Sequence, residues 1–167
     1  DANYNVVPLP KSVVMAKGKP FNLTSATTIV YEGTNPEMKR NARFLSEYIQ
    51  QSTGIKTTLL DKRDKKAAAI VLVINPKVQG DEAYRLTVNN KQVTIAASTP
   101  AGVFYGIQTL RKSLPVQTNG ADITLPAVDV ADAPRFGYRG MLLDFGRHFF
   151  PVSFVKKFID ILAMHNM

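Results

Sequence analysis

Met38, Ala42, Leu45, Tyr48 and Ile49 fall on one side of an α-helix, and Lys39, Arg40, Arg43, Glu47 and Gln50 fall on the other. A second stripe, Val103, Ile107, Leu110 and Leu114 with Phe104 beside it, follows about sixty residues later. Each stripe has its own start signal. Asn35 and Thr99 can cap helices, and Pro36 and Pro100 suit first-turn positions, whose N–H would have no partner. Gly54 is a stop for the first helix. Two one-sided helices need an apolar surface to lie on, and the rest of the chain supplies short β-branched runs between turn residues. The pattern predicts helices near 36–53 and 100–114, packed on one face of a sheet.

The strand candidates are Val6-Val7, Val13–Met15, Phe21–Leu23, Thr28–Tyr31, Lys56–Leu60, Ala68–Ile74, Tyr84–Val88, Gln92–Ala96, Ile123–Leu125 and Val128–Val130. Ala68–Ile74 is continuously apolar, which fits a central strand buried on both faces. Asn89-Asn90 separates two alternating runs. Because asparagine tolerates positive φ, a tight hairpin is expected there. Consecutive strands joined by short turns lead to a mostly antiparallel sheet in an α+β fold. Gly102 and Gly106 sit four apart on the second helix and predict a close approach to its neighbour.

The character changes after Pro134, giving two units, 1–133 and 134–167. Residues 139–143 read as a short apolar strand, 144–150 as a polar loop, and Pro151 onward as a helix with stripe Val152, Val155, Ile159 and Leu162. Strand, loop and amphipathic helix make one β/α unit.

Composition narrows the function classes. Hydrophobic residues make up 45% and charged residues 20% of 167, ordinary for a globular chain. With no cysteine, disulfide scaffolds and thiolate metal sites are excluded. No apolar run approaches the roughly 18 residues that span a membrane. The net charge of +8 is spread widely, and the only dense run is Lys62, Arg63, Asp64, Lys65 and Lys66. No aromatic stripe accompanies it, so a solvated loop is favoured over a nucleic-acid surface. The first residue is Asp1 rather than Met, which leads to the expectation of an exported protein whose leader was removed.

Two stretches resemble a known family. EAYRLTVNNKQVTIAASTPAGVFYGIQTLRKSL, Glu82–Leu114, resembles the hairpin and helix of the α/β domain preceding the catalytic barrel in family 20 glycoside hydrolases. DAPRFGYRGMLLDFGRHFFPVSFVKKFIDILAMHNM, Asp132–Met167, resembles the entry into that family's (β/α)8 barrel, with Pro-Arg-Phe, Arg-Gly, Asp-x-x-Arg-His-Phe and Lys-x-x-Ile-Asp in order. Residues 1–81 match in layout. The resemblance implies a retaining exo-β-N-acetylhexosaminidase that removes terminal N-acetylglucosamine or N-acetylgalactosamine. The substrate's 2-acetamido group is the nucleophile, an exception to the two-carboxylate scheme. An adjacent Asp-Glu pair on a later barrel strand assists, and no cofactor is implied. That pair is expected beyond Met167, so the chain alone is expected to be inactive. Asp81-Glu82 is not expected to be it.

The resemblance carries one site residue over. Arg147, in Asp-x-x-Arg-His-Phe, is implied to bind hydroxyls of the terminal sugar, a role for which the guanidinium fork is suited. Asp144 is read as a brace for Arg147, and His148 as a second supporting candidate whose commoner role is a local hydrogen bond. Arg139 is read as an anchor at the barrel bottom or the domain junction, and Tyr105 and Tyr138 as packing or sugar-stacking aromatics. No metal-ligand spacing is present. The partners implied are β-linked N-acetylhexosamine glycans; the alternative function is a non-catalytic glycan- or protein-interaction module. Residues 135–167 carry apolar groups that a barrel would cover. They are expected to dock on their own N-terminal unit or, preferably, on a second copy as a two-fold homodimer.

Overall fold

The computed structural model describes residues 1–64 and 67–167. Lys65 and Lys66 of the basic run lie outside the described residues. Among the described residues the elements are β1 (Ser12–Met15), β2 (Phe21–Leu23), β3 (Thr28–Tyr31), α1 (Pro36–Thr53), β4 (Thr58–Leu60), β5 (Ala69–Ile74), β6 (Tyr84–Val88), β7 (Gln92–Ala97), α2 (Pro100–Ser113), β8 (Ile123–Leu125), β9 (Val128–Asp132) and α3 (Val152–Met164).

The helix signals act as expected. Asn35 Oδ1 accepts from the backbone N–H groups of Glu37 and Met38, Pro36 opens α1, and Gly54 ends it at φ 81°. Thr99 Oγ1 accepts from Gly102 N at 3.2 Å to cap α2. Both helices lie on one face of the sheet. Met38, Ala42, Leu45 and Ile49 of α1 and Val103, Ile107 and Leu110 of α2 share one apolar cluster with Ile29, Ile70, Leu72, Leu86, Ile95 and Val130. The paired residues Ile29 and Ile70, and Leu86 with Ile95 and Val130, show that these strand residues align across the sheet. Val30, Ala69 and Val71 form a small cluster on the opposite face, so β5 is buried on both sides as its sequence predicts.

The sheet itself corrects the sequence reading. Its order is β1-β9-β6-β7-β5-β3-β4. β1, β9, β6 and β7 pair antiparallel, but β7, β5, β3 and β4 pair parallel, so the sheet is mixed and not mostly antiparallel. The cause is α1. Its eighteen residues return the chain to the starting edge, making β3 and β4 parallel neighbours; parallel pairs require such a crossover. β5 then inserts between β3 and β7, pairing with no strand adjacent in sequence. A separate antiparallel pair, β2 and β8, packs Phe21, Leu23, Ile123 and Leu125 into the same core.

The turn after β6 forms for a different reason than expected. Asn89 and Asn90 are not among the residues with positive φ. Asn89 Oδ1 instead accepts from Lys91 N and Gln92 N, at 2.9 and 3.1 Å, and its N–H donates to Gln92 O. Gly102 and Gly106 do provide close approach, but to the sheet. A Cβ on Gly102 would lie 2.4 Å from the carbonyl oxygen of Ala83, and one on Gly106 would lie 2.5 Å from Cγ2 of Ile95.

Residues 139–143 do not form the expected strand; they are irregular, and Met141 and Leu142 are exposed. An apolar strand needs a ladder partner to satisfy its backbone groups, and among the described residues no strand pairs with this segment. The helix expected from Pro151 is present as α3, which packs against α2. The segment after residue 133 therefore docks on its own N-terminal unit. No described helix is long and apolar enough to cross a membrane.

Candidate functional site

The loop after residue 143 is organised by Asp144. Its Oδ1 accepts from Gly146 N at 2.8 Å and from Arg147 N at 3.1 Å, folding the loop into a turn centred on the carboxylate. Its Oδ2 lies 3.6 Å from Nε of Arg147, whose side chain is 93% exposed. Asp144 thus fixes the main chain under Arg147 and stands at ion-pair distance from it. The Arg147 side chain is otherwise open to solvent. His148 packs edge-on against Phe150, with ring centroids 5.1 Å apart.

Phe150 connects this loop to α3. It stacks on Phe154 with centroids 4.5 Å apart, and Phe154 in turn lies parallel to Phe158. Phe145 meets Phe150 edge-on. Sequence reasoning chose Val152, Val155, Ile159 and Leu162 as the helix stripe and missed this ladder. The signal was there: Phe150, Phe154 and Phe158 repeat every four residues, the spacing of one helix side.

A half-open cleft of about 280 Å³ lies where the two units meet, lined in part by Glu82, Tyr84, Tyr105, Asp132, Arg139 and Asn166. Several of its polar groups pair with one another, while the side-chain oxygen of Asn166 is buried without a partner. Arg139 Nη2 lies 2.9 Å from Glu82 Oε1, Nε donates to Asn166 O, and Nη1 donates to Phe136 O. The guanidinium sits 5.8 Å over the ring of Tyr105. Tyr84 bonds Thr109 through their hydroxyls at 2.6 Å and donates to Asp132 Oδ2 at 3.3 Å. The hydrogen bond from Arg139 holds the Glu82 carboxyl below its usual range, and burial raises the Tyr84 phenol. Of the two positions expected for Arg139, these contacts fit the one between residues 1–133 and the segment that follows. Glu82 serves that ion pair, while the main-chain carbonyl of Asp81 accepts from the Thr99 hydroxyl. Tyr138 is almost fully exposed, and His165 Nδ1 lies 2.9 Å from Ile161 O. Among the described residues, no three His, Asp or Glu side chains gather as a metal site would require.

The same two segments stand out in comparison with known proteins. The profile of glycosyl hydrolase family 20, domain 2, matches residues 3–133, and that of the family 20 catalytic domain matches residues 136–167. A β-hexosaminidase of Porphyromonas gingivalis is 31% identical over all of this chain, which covers 22% of that protein. The fold of a β-N-acetylhexosaminidase from Streptomyces coelicolor superposes with a TM-score of 0.83 at 32% identity, over 96% of this chain and 32% of that one. A Streptomyces plicatus β-hexosaminidase variant, solved with its product N-acetylglucosamine, gives 0.82 at 31% identity over the same shares. The chain thus spans between about a fifth and a third of the length of these relatives.

Proposed function

This chain belongs to glycosyl hydrolase family 20, and on that premise we propose that it is the N-terminal part of a retaining exo-β-N-acetylhexosaminidase acting on terminal N-acetylglucosamine or N-acetylgalactosamine. Residues 1–133 are the supporting domain. Residues 134–167 are the first β/α unit of a (β/α)8 barrel, and segment 139–143 becomes its first strand once neighbouring strands are beside it.

The observation that carries this reading is the Asp144 turn with its exposed Arg147, inside the segment matched by the catalytic-domain profile. In a (β/α)8 barrel, loops that follow strands build the active site. A guanidinium held from behind by a carboxylate presents two N–H groups to adjacent sugar hydroxyls. Arginine stays charged at any working pH, so its hydrogen bonds are of the stronger, charge-assisted kind. The sugar is thereby gripped away from the bond to be broken. Its 2-acetamido oxygen attacks the anomeric carbon, and the acid that protonates the leaving oxygen stands on a later strand, as the family resemblance implies.

The exposed apolar residues support the same reading. Leu142 is 93% and Phe149 82% exposed, with Met141 and Val152 beside them in the segment. Large apolar groups left exposed this close together in sequence fit a surface that another part of the protein covers. The test is hydrolysis of an aryl β-N-acetylglucosaminide by the 167-residue chain and by the polypeptide that continues it, with turnover expected only in the second.

A further inference from the structure

α3 docks without burying any of its residues fully. Its apolar contact is partial, with Val155, Phe158, Leu162, Ala163 and Met164 only half-buried. Backbone N–H groups of His165, Asn166 and Met167 pair the carbonyls of Ile161, Leu162 and Ala163, but the last turn contains no basic residue of its own to balance the negative end of the helix dipole.

Other elements supply those cations. Arg111 of α2 forks onto Asp160 of α3, with Nη1–Oδ1 and Nη2–Oδ2 both 3.1 Å. Its guanidinium lies 3.9 Å over the ring of Tyr48 on α1, so the fork is held from behind by a flat surface. Lys112, the next residue of α2, donates from Nζ to Met164 O at 2.6 Å, on the last residue of α3. The same Nζ donates to Val7 O at 3.0 Å in the N-terminal arm. Arg139 closes the far end by donating to Asn166 O at 2.6 Å while pairing with Glu82. Asp160, Met164 and Asn166 are all in the final stretch of the helix and just past it. The seam excludes enough water that burial pushes the Lys112 ammonium down to about 8, with Asp132 and Arg111 as the charged groups facing it.

From this geometry we propose that Arg111, Lys112 and Arg139 form a cationic cradle that caps α3 from outside the helix and sets its position. The cradle makes the N-terminal domain the positioning element for the first catalytic unit. The path to the site is short. Phe158 and Phe154 on α3 stack in series with Phe150, which packs against Phe145 and His148 of the loop carrying Arg147. A shift of α3 on α2 moves that ladder and with it the guanidinium. The capping part concerns this chain alone; the catalytic part rests on the glycosidase reading.

The test uses amide hydrogen exchange on the intact 167-residue chain. Arg111→Met and Lys112→Met keep the aliphatic stems and remove the donors. Together they are expected to speed exchange across residues 152–164 by about tenfold or more, as local opening becomes easier, while α1 and β5 stay protected. Pairing Arg111→Asp with Asp160→Arg is expected to restore most of the protection that either reversal alone removes. Unchanged exchange in α3 would overturn the proposal, as would equal loss in α1 and β5, which would mean a general loss of stability. In the continued polypeptide, Arg111→Met is expected to raise KM more than it lowers kcat, and to add less than its full effect when combined with Arg147→Ala. Tenfold exchange effects with no glycosidase activity would leave the cradle standing and remove the enzyme reading instead.

Discussion

Arg139 and Glu82, 57 residues apart in sequence, meet at 2.9 Å across the junction of the two units. The bond lowers the Glu82 pKa, through the hydrogen bond first and the charge of Arg139 after it. The sign follows from linkage. A carboxyl with a depressed folded-state pKa contributes stability that is present above its unfolded value, about 4.3, and lost as pH falls through the folded value. Glu82→Gln should therefore be less stable than the parent at pH 7, and denaturant titrations should show the gap closing below about pH 4. A gap that stays constant down to pH 3 would remove the ion pair from the account.

Lys112 gives the same rise of stability with pH, in a higher window, but here it is the charged form that the fold disfavours. Its folded pKa, about 8, lies below the unfolded lysine value of about 10.4. The folded state sheds this proton first, so the unfolded state binds more protons between these values and stability should rise with pH in that window. Lys112→Met should abolish that rise. Thermal melts of both proteins at pH 7.5, 8.5 and 9.5 check it, and parallel curves would contradict it.

An exposed glycine inside a helix costs about 1 kcal/mol relative to alanine, so Gly→Ala commonly stabilises. Gly102→Ala should do the reverse. The added methyl would meet main-chain carbonyl oxygen of Ala83 and Cβ of Ala97, and overpacking of this kind costs about 1–3 kcal/mol. For a chain of this size a lowered Tm of several degrees is expected. Gly106→Ala meets the Ile95 side chain and should also destabilise. A higher Tm for Gly102→Ala would show that α2 is not seated as closely as described.

By itself the 167-residue chain leaves Leu142 and Phe149 uncovered. A second copy is the nearest apolar surface in a concentrated solution, and two-fold pairing is the commonest closed arrangement. Light scattering at high concentration should report a dimer, and Leu142→Glu with Phe149→Glu should return it to a monomer. A parent chain that stays monomeric would refute the pairing.

Local chemistry was legible from sequence, and non-local pairing was not. Asn35, Pro36 and Gly54 gave both ends of α1, and the alternation in Tyr84–Val88 gave β6, because caps and side-chain periods act within a few residues. The parallel neighbours β3, β4 and β5 could not be read this way. Their order depends on where α1 returns the chain, and β5 pairs only with strands distant in sequence. The apolar run in 139–143 reads as a strand by composition, yet a strand exists only beside a partner. The proximity of Asp144 and Arg147 was legible because three residues separate them. Arg111 and Asp160 were not: they lie 49 residues apart, and each looks like an ordinary surface charge until α2 and α3 are placed together.

The central claim is that these residues open a glycosidase whose sugar grip includes Arg147. Steady-state hydrolysis of an aryl β-N-acetylglucosaminide tests it most directly, with the continued polypeptide, its Arg147→Ala variant and the 167-residue chain compared side by side. The account predicts turnover by the first. It predicts a fall in kcat/KM of roughly 10²-fold in the variant, the scale of a lost charge-assisted hydrogen bond or two, and no turnover by the 167-residue chain. Activity in the short chain would contradict it, as would a folded continued polypeptide with no activity, or one whose kcat/KM is unchanged by Arg147→Ala.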